Sequence, residues 1–278
     1  MTSTTHTPQA DCTPSQSPAA VTVRLIGGPT ALIEIGGLCL LTDPTFDAPG
    51  PHPIGRRALV KTRPPAIAVA DLGPLDAVLL SHDQHPDNLD DAGRRLLPRV
   101  PVVLSTVPAA ARLGGNTIPM EPWHHVDLAR PDGGTLRVTS LPAQHGPDHT
   151  TNITGEVIGF LLSGDGLPNV YVSGDNASLR VVHEIAVNCS PTHVALLFAG
   201  AARTPLLDAF LTLTSDQAAE AARILDARVV VPLHAEGWEH FTQGPDAIAA
   251  AFERHGQRER LRVLAPGESA TFGLVVPR

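Results

Sequence analysis

An apolar run, Ala77-Val78-Leu79-Leu80, stops abruptly at Ser81-His82-Asp83-Gln84-His85-Pro86-Asp87-Asn88. A short apolar run that ends in polar, turn-forming residues reads as a buried strand, so His82, His85 and Asp87 are expected at a strand tip. Three more runs end the same way. Residues 136–143 lead into Gln144-His145-Gly146, Val170-Tyr171-Val172-Ser173-Gly174 leads into Asp175-Asn176, and Val229-Val230-Val231-Pro232-Leu233 leads into His234. Open α/β sheets place their sites just beyond such strand ends.

These four tips carry imidazoles and carboxylates, the donors that suit a divalent cation such as zinc, with manganese or iron also accommodated. His82, His85 and Asp87 fall within six residues, so one tight loop can serve two adjacent ion positions, and the two oxygens of Asp175 can bridge them. A pair of ions about 3.5–4 Å apart can hold a bridging hydroxide, a nucleophile available at neutral pH without a serine or cysteine. A single strand-end histidine is ordinarily just a solvated or hydrogen-bonded residue. The cluster His82-x-x-His85-x-Asp87 with three further tips is better explained by a shared site.

Around this pattern the chain of 278 residues reads as alternating strands and helices. Strands are expected at 21–26, 31–35 and 38–42, the last two joined at Gly36-Gly37, and later at 77–81, 102–104, 136–141, 157–162, 170–173, 193–198, 229–233, 261–264 and 270–275. Helices are expected at 88–97, 109–113, 179–188, from the Thr214/Gln217 capping box to about 226, and at 245–254. The first half reads as rich in antiparallel β, the second as a mixture of β and α, and residues 46–65 as a long loop. Residues 1–20, rich in Thr, Pro, Ser and Gln, read as a flexible tail without the apolar core of a secretory signal, and residues 21–278 as a single domain.

The formal net charge of -8 argues against a nucleic-acid partner. The most apolar stretch, 194–213, is broken by Arg203, Pro205 and Asp208, so no membrane span is expected. Cys12, Cys39 and Cys189 give no disulfide framework, and with thirteen histidines any metal would rest on imidazole and carboxylate in a cytoplasmic protein. No G-x-S-x-G elbow, P-loop or dinucleotide fingerprint is present.

The segment from Ser81 to Asp90 resembles a variant of the HxHxDH loop of the metallo-β-lactamase superfamily. Gly28-Pro29-Thr30-Ala31-Leu32-Ile33-Glu34, Leu41-Thr42-Asp43-Pro44, Pro142-Ala143-Gln144-His145-Gly146, Ser173-Gly174-Asp175 and Pro232-Leu233-His234 follow in the order seen in its ascorbate-6-phosphate-lactonase-like branch. The resemblance covers about residues 21–275. It implies an α/β fold, an αββα sandwich of two mixed β-sheets flanked by helices, and a metal-dependent hydrolase. Carried over by position, it implies that His82, His85 and His145 bind a first ion, that Asp175 bridges, and that Asp87 and His234 serve a second.

The loop departs from the family pattern in having two residues, Asp83 and Gln84, between its first two histidines. Anchoring on Asp87 puts His85 in the second His position and Asn88 in the final one, whereas anchoring on His82 puts Gln84 second. The first alignment is preferred because it keeps the Asp in register. Asn88 is then a poorer zinc ligand than imidazole, so one or two ions are allowed. Asp43 is a candidate to orient a ligating imidazole. Gln84, Asn88 and His240 are candidates for second-layer or substrate contacts, although Trp238-Glu239-His240 also reads as a packed Trp beside an exposed His. Arg56, Arg57, Lys61 and Arg63 form a basic stretch that either draws an anionic small-molecule substrate or is simply a solvated loop.

The expected chemistry is hydrolysis by a metal-bound hydroxide on an ester or lactone, with Asp87 and Asp175 as catalytic carboxylates. A phosphodiesterase of the same fold, an iron-dependent oxidoreductase and a non-catalytic metal-binding protein are the alternatives.

Overall fold

The computed structural model describes residues 20–189 and 191–274. The expected tail lies outside the described residues except for Ala20, and so does Val275. The chain opens with an antiparallel meander, β1 (Ala20–Gly27), β2 (Thr30–Ile35) and β3 (Leu38–Thr42), followed by a hairpin of β4 (Gly50–Ile54) and β5 (Arg57–Lys61). Next come β6 (Ala77–Leu79), α1 (Asp91–Leu96), β7 (Val102–Thr106), α2 (Val107–Leu113), β8 (Thr117–Met120), β9 (His125–Ala129), β10 (Thr135–Pro142), α3 (Thr151–Thr154), β11 (Ile158–Ser163) and β12 (Val170–Val172). The chain closes with α4 (Leu179–Asn188), β13 (Val194–Phe198), β14 (Arg203–Thr204), β15 (Leu207–Phe210), α5 (Ser215–Ile224), β16 (Val229–Leu233), α6 (Pro245–Arg254) and β17 (Ser269–Gly273).

Two mixed sheets result, ordered β17-β1-β2-β3-β6-β7-β8 and β16-β13-β12-β11-β10-β9. The alternation of strand side chains separates their faces. Leu40 and Leu79 point inward to meet Val138, Phe160, Val172 and Leu196 of the opposite sheet. Their neighbours Leu41 and Val78 point outward under Leu96, Leu97 and Val100 beside α1. On the other side Tyr171, Leu197 and Val230 are covered by Val182 and Ile185 of α4, Ala218 of α5 and Phe252 of α6. The layering is therefore α, β, β, α, as expected. The fully buried strands β3 and β13 are continuous apolar runs because both their faces are covered.

Strand direction brings the tips together. β3 and β6 run parallel, as do β12, β13 and β16. β10 is antiparallel to β11, which is antiparallel to β12, so β10 and β12 point the same way. The C-terminal ends of β10, β12 and β16 therefore share one edge of their sheet, and those of β3 and β6 share one edge of theirs.

Several expectations are corrected. The first half is rich in antiparallel pairs, as expected, while β6, β7 and β8 add to β3 in parallel, which was not foreseen. Residues 46–65 contain the β4–β5 hairpin, which its prolines disguised. A two-stranded ribbon is all edge and tolerates Pro51 and Pro53 where a central strand does not. The first helix starts at Asp91 rather than 88, because the Asp90 carboxylate caps the Gly93 N–H at 2.8 Å. Of residues 261–264 only Leu261 makes a bridge, to Val230. The strands β8 and β9 and the ribbon β14–β15 were not anticipated, although the exposure of β9 alternates along its length. Cys189 is a free cysteine, and Cys12 lies outside the described residues. Among the described residues no helix is long and apolar enough to cross a membrane.

The helix α1 packs so closely on the chain after β3 that a Cβ at Gly93 would lie 1.9 Å from the Pro44 carbonyl oxygen. Gly93→Ala is expected to destabilise the protein by about 3 kcal/mol, the upper part of the range for overpacking, measured as a lowered urea midpoint at unchanged slope.

Candidate metal centre

The loop after β6 buries His82 completely and orients it through a two-step relay. Asp43, at the tip of β3, accepts hydrogen bonds from the Ser81 backbone N–H and from Ser81 Oγ, both at 2.6 Å. Ser81 has one hydroxyl proton, and it is committed to Asp43. Its oxygen therefore accepts from His82 Nδ1–H at 2.9 Å, which leaves His82 Nε2 with a free lone pair. His145 is fixed in the same sense by a different partner, since its Nδ1 lies 2.7 Å from the Leu211 carbonyl and must donate to it. Its Nε2 then points inward as an acceptor.

These two acceptors and His85 Nδ1 converge, at 2.9 Å from His82 Nε2 and 3.3 Å from His145 Nε2. Asp175 Oδ2 lies 3.5 Å from His145 Nε2 and 4.0 Å from His82 Nε2. One ligand atom from each of His82, His85, His145 and Asp175 falls within 4.8 Å of all the others, and Asp87, Asp175 and His234 form a second such group. Three inward imidazole nitrogens crowded on a carboxylate is an arrangement a divalent cation satisfies, because it gives the facing lone pairs a shared acceptor. Asp175 belongs to both groups through its two oxygens.

His234 lies between the carboxylates, with Nδ1 2.9 Å from Asp175 Oδ1 and Nε2 3.2 Å from Asp87 Oδ2. Its backbone has φ 54°, held by a hydrogen bond from its N–H to the Gly28 carbonyl at 2.7 Å. Asp43 also has positive φ, 26°. Non-glycine residues in this region cost free energy and persist where their surroundings fix them. Glu236 fixes the turn that holds His234 by accepting from Gly28 N at 2.8 Å. The loops of His145 and Asp175 are laced together by Gln144 N donating to Asn176 Oδ1 and Ala177 N donating to the Gln144 carbonyl.

The electrostatics follow from burial and the neighbours. Burial, reinforced by the adjacent imidazoles, holds His82 well below its ordinary pKa and His85 at about 4, so both rings are neutral at pH 7. Burial works against ionisation of Asp87 and Asp175, but His240 and His234 beside the first, and His234 and His145 beside the second, outweigh it and keep both ionised. Burial likewise opposes charge on His234, yet Asp175 and Asp87 raise it to about 10. Burial pushes Asp43 up to about 7 against the hydrogen bonds from Ser81 and Asn88.

The structure brings together all six residues expected to hold metal. Gln84 is not among them; its side chain packs over Gly155, where a Cβ would lie 2.4 Å from Gln84 Nε2. Asn88 is buried, with Nδ2 donating to Asp43 Oδ2 at 3.1 Å and to Asp175 Oδ1 at 3.3 Å. Asp43 reaches His82 through Ser81 rather than directly, a relay the sequence reading missed although Ser81 is its neighbour. The Leu211 carbonyl has no sequence signal at all. His240 is half-buried, and its Nε2 contacts Asp87 Oδ2 at 3.0 Å, so the expectation of an exposed His is corrected. Lys61 is buried against Asp90 at 3.2 Å and is no part of a solvated loop. Trp123, His124 and His125 are exposed.

A cavity of about 320 Å³ opens onto His85, Asp87, His145 and His240. Its walls are Ile54 and Leu59 of the β4–β5 hairpin, Ile153, Leu206 in the turn of the β14–β15 ribbon, and Leu211, with Arg56, Arg57 and Arg203 also contributing. Arg57 donates to Thr204 Oγ1 at 2.9 Å and so ties the two hairpins together. Arg203 pairs with Asp208 at 2.6 Å.

An αββα sandwich with imidazoles and carboxylates gathered at its strand tips defines the class of protein. The model of the β-lactamase superfamily domain matches residues 39–235, and the chain belongs to the metallo-β-lactamase superfamily. The chain is 31% identical over 215 residues to a UPF0173 metal-dependent hydrolase of Pelotomaculum thermopropionicum, covering 74% of this chain and 86% of that protein. It is 26% identical over 243 residues to an N-acyl-phosphatidylethanolamine-hydrolyzing phospholipase D of Caenorhabditis elegans, covering 79% and 64%. Its fold is that of the isothiocyanate hydrolase from Delia radicum gut bacteria, with a TM-score of 0.78 at 18% identity over 91% of this chain and all of that one.

With metal stripped, the charged form of His234 stabilises the fold fully below pH 6.5, where the unfolded chain is protonated too. From pH 6.5 upward only the folded state keeps that proton, so this stabilisation declines until about pH 10. Urea unfolding of metal-stripped protein is expected to show falling stability from pH 7 to 9.5, and His234→Gln is expected to flatten that slope.

Proposed function

We propose that the chain is a metal-dependent hydrolase acting on ester-type bonds, with lactones foremost, in line with its resemblance to the ascorbate-6-phosphate-lactonase-like branch. The observation that carries this reading is the convergence of His82 Nε2, His85 Nδ1 and His145 Nε2 on Asp175 beside an apolar cavity. His82, His85, His145 and Asp175 would hold a first divalent ion. Asp87, Asp175 and His234 would hold a second. Zinc suits the first set. The second has an amide, Asn88, where a third imidazole would strengthen it, and so also suits a harder ion such as manganese. Bound there, a divalent ion supplies Lewis acidity and brings the pKa of water towards ~7.

The protein's own groups do the rest. Asp87 Oδ1 is buried with no hydrogen-bond partner among the described residues, which leaves it free to accept a proton from the attacking water and return it to the leaving group. Asp87 Oδ2 is anchored by His234 and His240. The walls Ile54, Leu59, Ile153 and Leu211 exclude bulk water and favour a small substrate with an apolar body, since about 320 Å³ lies at the lower end of ligand-cavity volumes.

A phosphodiesterase is the second reading, and the similarity to the worm phospholipase D supports it. The carbon ester is preferred because the walls Ile54, Leu59, Ile153, Leu206 and Leu211 are apolar.

The test is metal analysis and turnover on protein purified without added metal. His82→Ala and Asp175→Ala are expected to lose metal and hydrolysis together, His85→Ala to lose metal, and Gln84→Ala to keep it. Full metal retention in His82→Ala and Asp175→Ala refutes the assignment. A panel of lactones and phosphodiesters then decides between the two readings by which class is turned over.

A further inference from the structure

We infer that the ion pair between Asp83 and Arg112 positions the metal-binding loop, allowing a histidine spacing with one extra residue to present both imidazoles to one ion. The inference rests on the reading of His82, His85, His145 and Asp175 as a metal site. His82 Nε2 and His85 Nδ1 meet at 2.9 Å, although two residues separate them in the chain. Asp83 and Gln84 must therefore turn away from the site, and the structure shows what holds each of them there.

The Asp83 side chain is only 2% exposed, an unusual place for a carboxylate beside a metal loop. Arg112, in the last turn of α2, grips it with two nitrogens. Nε lies 3.1 Å from Oδ1 and 3.0 Å from Oδ2, and NH2 makes a further contact with Oδ1. Arg94 of α1 donates to the Asp83 carbonyl at 3.2 Å and stands 3.9 Å from Oδ2. The Gln84 side chain lies in the space left by Gly155, where φ is +82° and no side chain intrudes. The bulge is thus clamped by two helices on one side and seated against a glycine turn on the other.

A planar guanidinium binding a carboxylate through two nitrogens fixes orientation as well as distance. Asp83 is covalently next to His82 and one residue from His85, so this orientation passes directly to both rings. Arg112 touches neither ring and no reacting atom; it is a positioning residue. Outer partners of metal ligands typically change metal affinity by about 10–100-fold when removed.

The experiment measures the zinc dissociation constant of the full chain by competition with a chromophoric chelator, alongside the melting temperature of the metal-stripped protein. Arg112→Gln and Asp83→Asn are each expected to weaken zinc binding by about 10–100-fold. The double variant is expected to be no weaker than the worse single one, because both remove the same interaction. Arg112→Lys, which keeps the charge but loses the two-nitrogen geometry, is expected to recover only part of the loss. Variants that melt lower without metal yet bind zinc as tightly as the parent would show a merely structural ion pair and overturn the inference. So would additive losses in the double variant. If the parent itself binds no zinc, the metal-site reading falls and takes this inference with it. If the parent binds zinc and the variants match it, the clamp alone is refuted.

Discussion

Everything at the strand tips depends on keeping charge ionised where water is scarce. Asp175 and Asp87 are buried, and a lone buried carboxylate would take up a proton rather than remain charged. They stay ionised because imidazoles from three separate loops surround them, with His234 placed between the two. The compensation is mutual, since His234 is charged only because the carboxylates are there. Removing one member leaves a buried charge without its counterpart, so these residues form a unit rather than a collection of contacts. A divalent ion is the natural partner for such a set, because it supplies positive charge without needing a proton.

The two sheets make this unit possible by geometry alone. Strand direction sends the ends of β3, β6, β10, β12 and β16 to the sandwich edges where the loops meet, and β3, β6, β12 and β16, buried almost throughout, give those ends little freedom. Two of the tips, Asp43 and His234, carry positive φ values that are held by the neighbouring backbone. The tautomers of His82 and His145 are set from outside by Ser81 and by the Leu211 carbonyl. The site is therefore ordered by atoms that carry no chemistry of their own.

Much of this was legible in the sequence, for identifiable reasons. An apolar run broken by His or Asp is a strong local signal, and it located all six converging side chains. The capping box at Thr214 and Gln217 marked α5 because both of its hydrogen bonds are local. What escaped is what depends on partners distant in sequence. The parallel pairing of β6, β7 and β8 is invisible to periodicity, which reports burial and not direction. The prolines of β4 argue against a strand until the ribbon is seen to be two-stranded. His240 looked exposed beside Trp238 because nothing local announces Asp87, 153 residues away in the chain, as its partner. The contact of Lys61 with Asp90 was hidden for the same reason.

The two hairpins that wall the cavity lie outside both large sheets and contribute none of the residues that converge on Asp175. They meet each other through Arg57 and Thr204 and set Ile54, Leu59 and Leu206 in the walls of the cavity that opens onto His85 and His145. Molecular selectivity is thus carried largely by parts of the chain other than those that supply the converging side chains. Exchanging the β4–β5 ribbon for one of different polarity would re-tailor what the cleft admits, whereas the β14–β15 ribbon runs straight into Leu211, whose carbonyl fixes His145, so a change there reaches the reacting centre as well.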